Sequence, residues 1–227
     1  MKHIVVAIDG PAGAGKSTLA RRVAARLGYL YIDTGAMYRA VAVAALREGI
    51  ALDDALKLEQ LALACEIDLT GDARVLLDGA DVSEAIRRPE VSQAASKVSA
   101  VAGVRRAMVN QQRRLGATHS VVMEGRDIGS VVFPEARVKI FLDADPAARA
   151  TRRVIELRQK GMPADAAEVE REMRERDERD RSRTEAPLRQ APDAVYLDST
   201  ALTPDEVVEA VLRIARERTS NGKEADR

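Results

Sequence analysis

The chain has 227 residues, of which 46% are hydrophobic and 32% charged, and its 36 basic side chains equal its 36 acidic ones. This length and apolar fraction suit one domain with a full core. A net charge of zero argues against bulk binding to nucleic acid or to an anionic membrane. No stretch approaches the roughly 20 apolar residues of a membrane span, and the first apolar run is too short for a signal peptide. The single cysteine, Cys65, excludes an internal disulfide framework and predicts a cytoplasmic protein.

The first motif along the chain is GPAGAGKS at residues 10–17, which matches the phosphate-binding pattern G-x-x-x-x-G-K-[ST]. It follows an apolar run at residues 4–8, which we predict as a central parallel strand, and it precedes a helical pattern that Gly28 ends. The three glycines let the backbone wrap a polyphosphate with positive φ. Lys16 would then reach the β- and γ-phosphates, and the Ser17 hydroxyl would ligate Mg²⁺.

A second strand is predicted at residues 29–32, and Thr34 is the predicted N-cap of the helix that runs from there to Leu46. The Thr34 hydroxyl, the Tyr38 ring and the Arg39 guanidinium near this helix start would suit a phosphomonoester. A solvated first turn of the helix is the alternative interpretation of the same residues.

A small antiparallel insert is predicted in the next part of the chain. Residues 67–70 and 74–78 have the pattern of short strands around a turn at Gly71 and Asp72, and Val82 begins a third strand. We interpret this meander as a mobile flap inserted into an otherwise alternating α/β chain.

A helical pattern covers residues 89–115, with a break at residues 102–103, and the strand at residues 121–123 leads into Glu124. A carboxylate at the carboxyl end of a strand, in the same sheet as a phosphate loop, belongs on the Mg²⁺ side of the site. Arg126 beside it could clamp a phosphate with two hydrogen bonds. A structural ion pair between Glu124 and Arg126 is the alternative.

A highly charged helix is predicted over residues 165–183. Pairs of opposite charge four residues apart support a solvated helix: Glu170–Arg174, Glu172–Arg176, Glu175–Arg179 and Asp177–Arg181. A separate stripe holds three guanidiniums and one carboxylate, at Arg176, Arg179, Asp180 and Arg183. Four charged side chains on one stripe are unfavourable in a protein core, and three guanidiniums with one carboxylate suit the binding of a nucleotide.

Further strands are predicted at residues 138–142 and 195–197, and residues 219–227 are expected to fray. Strands that alternate with helices, with a phosphate loop after the first strand, predict a doubly wound parallel sheet.

Three reaction classes fit that arrangement: a switch GTPase, a motor ATPase and a small-molecule kinase. The sequence has no guanine-reading [NT]-K-x-D motif, and its neutral charge and compact length weaken a nucleic-acid motor. A kinase needs a second anion site rich in arginine. Arginines are available at residues 39 and 126 and in the segments 149–153 and 176–183.

Several segments together resemble the bacterial cytidylate (CMP) kinase family: IDGPAGAGKST (8–18), DTGAMYR (33–39), EGRDIG (124–129), VVFP (131–134), VKIFLDA (138–144) and ERDERDRSR (175–183). The resemblance runs from about Ile4 to Arg216 and includes the β insert. It implies a nucleoside monophosphate kinase fold, in which helices flank a parallel five-stranded sheet. It also implies a single domain with a core at about 1–33, 116–150 and 184–218, a monophosphate-binding region at 34–115 and a lid at 151–183.

The resemblance further implies transfer of phosphate from ATP to CMP or dCMP with Mg²⁺, by a cytoplasmic monomer that binds neither nucleic acid nor membrane. The implied ATP-binding residues are Gly10, Pro11, Ala12, Gly13, Ala14, Gly15, Lys16, Ser17 and Thr18. The implied CMP-binding residues are Thr34, Tyr38, Arg39, Ser96, Arg105, Arg126, Asp127, Arg176, Asp180 and Arg183. The implied catalytic residues are Lys16, Arg126, Arg152, Arg153 and Arg183, and the metal-binding residues are Ser17 and Glu124.

The resemblance also implies which part of CMP each of these residues binds. The CMP phosphate is assigned to Arg39 and Arg126, the cytosine edge to Ser96, Arg105 and Arg183, and the ribose to Arg176 and Asp180. Arg152 and Arg153 resemble part of a lid over the transferring group. Thr34 stands where Ser is common and Glu124 where Asp also occurs, so direct and water-mediated Mg²⁺ contact both stay open. The alternatives are a kinase of another small acceptor, such as UMP or shikimate, and a non-catalytic nucleotide-binding or RNA-associated protein.

Overall fold

The computed structural model describes residues 3–70 and 74–224. The turn predicted at Gly71 and Asp72 lies outside the described residues. The strands are β1 (Val5–Asp9), β2 (Leu30–Asp33), β3 (Ile67–Leu69), β4 (Val75–Leu77), β5 (Ala80–Asp81), β6 (Val121–Gly125), β7 (Val138–Asp143) and β8 (Val195–Asp198). The helices are α1 (Lys16–Leu27), α2 (Thr34–Arg47), α3 (Ala55–Ala64), α4 (Pro89–Val98), α5 (Ala102–Thr118), α6 (Pro146–Gln159), α7 (Ala166–Ser182) and α8 (Pro204–Glu224).

The main sheet has five strands in the order β2-β6-β1-β7-β8, and every neighbouring pair is parallel. This confirms the predicted fold class. β1 lies at the centre, and Val6, Ala7 and Ile8 are fully buried because both faces of the sheet are covered. Parallel strands bring their carboxyl ends to one edge, where Asp9 lies beside Gly125 and Asp33 beside Glu124.

The predicted insert is a separate antiparallel sheet in the order β3-β4-β5. Its last strand ends at Asp81, so Val82 follows the strand instead of beginning it. Val82 is instead buried in the core of this region, since its apolar side chain packs under the helices. The insert therefore packs against the helices that precede and follow it.

The protein has separate hydrophobic cores. One fills the region of α2, α3, α4, α5 and the insert, with Met37, Leu58 and Met108 fully buried in it. A second lies between the main sheet, α1 and α8 and includes Ile8 and Leu212, and a third packs on the other face of the sheet. Among the described residues, no helix is long and apolar enough to cross a membrane.

Three predicted boundaries differ from the structure. Asp33, not Thr34, caps α2, because its Oδ1 accepts the Ala36 N–H at 3.0 Å while Thr34 is the first helical residue. The break between α4 and α5 falls at residues 99–101, where Val101 is extended, and not at residues 102–103. α8 continues to Glu224 through residues that were expected to fray, and residues 225–227 lie outside the description.

Candidate active site

The phosphate loop joins β1 to α1 and has the predicted backbone. Gly10, Gly13 and Gly15 have φ values of 151°, 72° and 94°. At Gly10 an added Cβ would lie 1.9 Å from the carbonyl oxygen of Leu142, so no other residue fits there. The loop ends at the first turn of α1, whose free amides favour an anion.

Lys16 is buried at the start of α1, and its Nζ donates to the carbonyl oxygen of Pro11 at 2.7 Å. Burial lowers the pKa of Lys16 to about 7, and the nearby positive charge of Arg126 contributes in the same direction. A phosphate at the loop would favour the charged ammonium. The structure therefore places Lys16 at the phosphate loop with its ammonium on a loop carbonyl, and its contact with the β- and γ-phosphates stays a prediction.

Glu124 lies buried at the end of β6, next to the phosphate loop. Its Oε1 accepts the Tyr31 hydroxyl proton at 2.5 Å, and the Ser17 side chain lies near enough to lower the pKa of the same carboxylate. Burial raises the pKa of Glu124, and the charge of Asp33 adds to the rise. A carboxylate and a hydroxyl are hard oxygen ligands, and Mg²⁺ at phosphate sites needs only one or two carboxylates. Within residues 3–70 and 74–224, no cluster of three or more His, Cys, Asp and Glu could hold a metal.

Tyr31 is a site residue that the sequence analysis missed. It lies on β2, two residues before Asp33, and the guanidinium of Arg21 lies 5.4 Å from the centre of its ring. Its alternation with Asp33 along the strand was the available signal, since residues two apart face the same side. Thr34 reaches the same strand end, where its hydroxyl donates to the Glu124 carbonyl oxygen at 2.7 Å.

Arg126 and Arg176 form a positively charged cluster beside Lys16. Arg126 is paired with Asp180, Nε to Oδ2 at 2.8 Å, which is not the partner that the Glu124 ion-pair alternative predicts. Burial and the charge of Arg126 lower the pKa of Arg176 to about 10. The buried Nε of Arg176 has no hydrogen-bond partner among the described residues. The pKa of Arg126 itself is raised, because Asp180 pairs with it and offsets its burial. A bound anion would favour the charged forms of Lys16 and Arg176.

A second group of predicted residues gathers at Arg105. This buried guanidinium pairs with Asp127, donates to the Ser99 carbonyl oxygen at 3.3 Å and lies 5.5 Å from the Tyr38 ring centre. Burial raises the pKa of Tyr38 to about 12. Ser96 is buried close by, and its Oγ accepts from Arg179 Nε at 3.3 Å.

Arg183 connects the two groups. It pairs with Asp180 and donates to the Ser99 hydroxyl at 3.1 Å. Ser99 was not predicted, because it lies in the break between α4 and α5 that the sequence pattern placed three residues later. These contacts connect predicted acceptor residues on α2, α5 and α7 with those that directly follow β6 and α7.

Three predicted arginines have protein partners. Arg39 pairs with Asp33 at 2.7 Å. Arg152 donates to the Oγ and the carbonyl oxygen of Ser199, at 3.0 and 2.6 Å. Arg153 pairs with Glu156 on its own helix at 2.8 Å. Arg152 and Arg153 both lie on α6, with their guanidiniums held by neighbouring groups, and their lid role stays a prediction.

The solvated pairing predicted for Asp177 is wrong. Its side chain is buried, and Oδ2 lies 2.5 Å from Nη1 of Arg149 on α6. The charge periodicity of α7 could not reveal this, because packing of α7 on α6 decides which face is covered. Two of the predicted surface pairs form, Glu170–Arg174 at 2.7 Å and Glu175–Arg179 at 3.9 Å.

A phosphate loop after the central strand of a doubly wound sheet, with cations converging beside it, defines a phosphate-loop kinase. A solved gluconokinase from Sinorhizobium meliloti 1021 shares the fold, with a TM-score of 0.50, 17% identity and coverage of 98% of this chain and 97% of that chain. The chain belongs to the cytidylate kinase family, whose model, described as "Cytidylate kinase", matches residues 6–217.

Curated relatives agree with the family model. A cytidylate kinase from Solibacter usitatus (strain Ellin6076) is 59% identical, over 98% of this chain and 97% of the relative. One from Syntrophotalea carbinolica is 50% identical, over 96% and 94%. The protein is therefore an enzyme of the nucleoside monophosphate kinase class.

Proposed function

We propose that this enzyme transfers the γ-phosphoryl group of ATP to CMP and to dCMP, forming CDP and dCDP. The observation that carries the proposal is the convergence of Lys16, Arg126 and Arg176 beside the phosphate loop, where the charge of Arg126 lowers the pKa values of the other two and a bound anion would favour their charged forms. Family membership supports the cytidine acceptor. It does not favour UMP, shikimate or a non-catalytic role.

The donor side rests on the phosphate loop. The amides of the loop and of the first turn of α1 would bind the triphosphate, and Lys16 would hold its β- and γ-oxygens. Ser17 and Glu124 are the residues that would hold Mg²⁺, because they supply a hydroxyl and a carboxylate at one point. The ion, when bound, neutralises charge between the β- and γ-phosphates.

The acceptor side of the proposal depends on the arginines of α2, α5 and α7 and on those that directly follow β6 and α7. Arg39 and Arg126 would hold the CMP phosphate, and Arg176 with Asp180 would hold the ribose. Cytosine offers acceptors at O2 and N3, which suit guanidiniums because these only donate. The base-reading residues would be Ser96, Arg105 and Arg183. Asp127 and Tyr38 lie against Arg105, and Thr34 would lie near the phosphate.

In this phosphoryl transfer the side chains need only position the two nucleotides and neutralise their negative charge. The acceptor phosphate is already a nucleophile at neutral pH, so the reaction requires no general base. The chain's own residues would hold the two phosphates in line and bind the charge spread over the migrating group. Arg152 and Arg153 would leave Ser199 and Glu156 to cover that group as the lid closes, which excludes water.

Initial rates with CMP, dCMP, UMP and AMP at fixed Mg·ATP test the proposal. CMP and dCMP should exceed UMP by roughly tenfold or more, because uracil reverses the donor and acceptor pattern at the pyrimidine edge. Equal rates with UMP and CMP would contradict the assignment of the base-reading residues. Shikimate, added as a further acceptor in the same assay, should not be phosphorylated, and its turnover in place of the nucleotides would support the competing acceptor class.

We also propose that the enzyme acts as a cytoplasmic monomer without nucleic-acid partners. The one cysteine, Cys65, is buried, as a reducing compartment allows. Sedimentation at micromolar concentration should give the mass of one chain. A gel shift of RNA that weakens steeply with salt would contradict the absence of nucleic-acid partners.

A further inference from the structure

The ion pair between Arg149 and Asp177 lies outside every role assigned so far. The two side chains come from neighbouring helices, α6 and α7, and are 4% and 3% exposed. Nη1 of Arg149 lies 2.5 Å from Oδ2 of Asp177. Charges buried to this extent persist only where their hydrogen bonds are satisfied.

Both charges bind the backbone of Ala12 in the phosphate loop. Oδ1 of Asp177 accepts the Ala12 N–H at 3.3 Å, and Nη1 of Arg149 donates to the Ala12 carbonyl oxygen at 3.0 Å. The Nε of Arg149 donates to the Ala144 carbonyl oxygen at 3.0 Å, which anchors the guanidinium just after β7. The ion pair therefore holds both the N–H group and the carbonyl group of Ala12.

The next residue of the loop is packed against the same helices. A Cβ added at Gly13 would lie 2.7 Å from Cε of Met173 and 3.0 Å from the carbonyl oxygen of Arg149. Met173 and Asp177 are four residues apart, so they share one face of α7. That face lies on the phosphate loop, while Asp180 faces Arg126.

We propose that Arg149 and Asp177 are positioning residues for the phosphoryl donor. By fixing the Ala12 backbone they orient the loop that follows, so that the amides from Gly13 onward point toward the triphosphate. They act through the backbone and need not touch the nucleotide. The inference rests on the proposed function in one respect, the assignment of ATP to the phosphate loop.

Calorimetric titration with the non-hydrolysable analogue AMP-PNP and Mg²⁺ tests this role without turnover. Asp177→Asn should weaken AMP-PNP binding roughly tenfold or more, since hydrogen bonds to a charged group are lost. CMP binding should change by less than about twofold. Glu170→Gln is the matched control, because Glu170 pairs with Arg174 on the exposed side of the same helix. In steady-state assays the ATP KM should rise while the CMP KM stays close to its wild-type value.

A second variant guards against a folding defect, because Asp177→Asn leaves the Arg149 charge buried without its partner. The double variant Arg149→Met with Asp177→Leu removes both charges and keeps similar volume. It should fold, as circular dichroism would show, and bind AMP-PNP as weakly as the single variant. Wild-type AMP-PNP affinity in either folded variant would overturn the positioning role. A wild-type enzyme that binds no AMP-PNP would instead overturn the assignment of ATP to the loop, and this inference with it.

Discussion

Nε of Arg126 lies 2.8 Å from Oδ2 of Asp180, and this contact ties the end of β6 to α7. Burial alone would raise the pKa of Asp180, but the guanidiniums of Arg126 and Arg183 together lower it below its usual value. Asp180 is therefore ionised at neutral pH. An ionised carboxylate accepts hydrogen bonds, which suits a ribose hydroxyl and orders two arginines of the acceptor region at the same time.

Replacement of Arg183 should affect the acceptor selectively. Arg183→Ala removes the donor to Ser99 and the partner of Asp180, so we expect the CMP KM to rise by about ten- to a hundredfold. The ATP KM should change far less. Arg181→Ala, two residues earlier and exposed, is the control and should behave as wild type in both assays. Equal increases in the two KM values would argue against a role in reading CMP.

Removal of the loop lysine should abolish most turnover. Lys16→Ala deletes the ammonium that would stabilise the charge on the migrating phosphoryl group, and kcat should fall on the order of 10³-fold or more. The fold should survive, because the residue lost is a buried charge whose desolvation opposes folding. Thermal unfolding followed by circular dichroism checks the fold. Wild-type turnover in a folded sample would discard the phosphate-loop assignment.

The hydrogen bond from Tyr31 to Glu124 predicts a specific defect in metal use. Tyr31→Phe frees the Glu124 carboxylate to rotate, so half-maximal activity should need a few-fold more Mg²⁺. The stabilisation that Mg²⁺ with AMP-PNP gives against thermal unfolding should shrink as well, which is a readout independent of turnover.

The control for that experiment is Tyr29→Phe, a tyrosine that lines a groove with Leu27 and Ala215 away from Glu124. The chain has four tyrosines and no tryptophan, so tyrosine emission is not masked. Loss of Tyr31 should alter the change in emission that Mg²⁺ with AMP-PNP produces. An unchanged Mg²⁺ requirement in Tyr31→Phe would contradict the positioning role of Tyr31.

Asp9 predicts a pH dependence of stability. It accepts the N–H groups of Ile128 and Gly129 at 2.8 and 2.7 Å, but burial outweighs these bonds and raises its pKa from 3.8 to about 7. A raised carboxyl pKa means that the folded state binds the proton more readily than the unfolded chain does. The contribution of Asp9 to the free energy of unfolding is therefore fully present below about pH 4. It falls as the pH rises from there to about 7, by about 1.4 kcal/mol for each pH unit in that window.

Urea unfolding of the wild type and of Asp9→Asn at pH 5 and pH 8 measures this effect. Asparagine does not titrate, so the free energy of unfolding of the wild type minus that of the variant should be larger at pH 5. A difference that is the same at both pH values would contradict the raised pKa.

Local patterns predicted the fold well because each element carries its own signal. The apolar run of β1, the glycines of the loop and Gly28 at the end of α1 are all evident from a few neighbouring residues. The family resemblance supplied the acceptor residues, and the structure brings most of them together. The sequence could not show which charged side chains are buried by packing between elements that are distant along the chain.

Asp177 illustrates that limit. Its spacing from Arg181 is the same as that of the exposed pairs on α7, so periodicity assigns all of them to solvent. Only the packing of α7 on the phosphate loop buries Asp177 against Arg149. Thr34 was misassigned for a related reason, since Asp33 competes for the same cap and β2 holds it in place.

The buried side chains that fill the region of α2 to α5 and the insert are distinct from those that fill the space between the sheet, α1 and α8. Each of these two hydrophobic cores is covered by its own helices. Substitutions inside the first of these cores therefore leave the packing of α1 behind the phosphate loop largely untouched. If the proposed function holds, selection could remodel the α2 to α5 side of the acceptor region while the core behind the loop stays as it is.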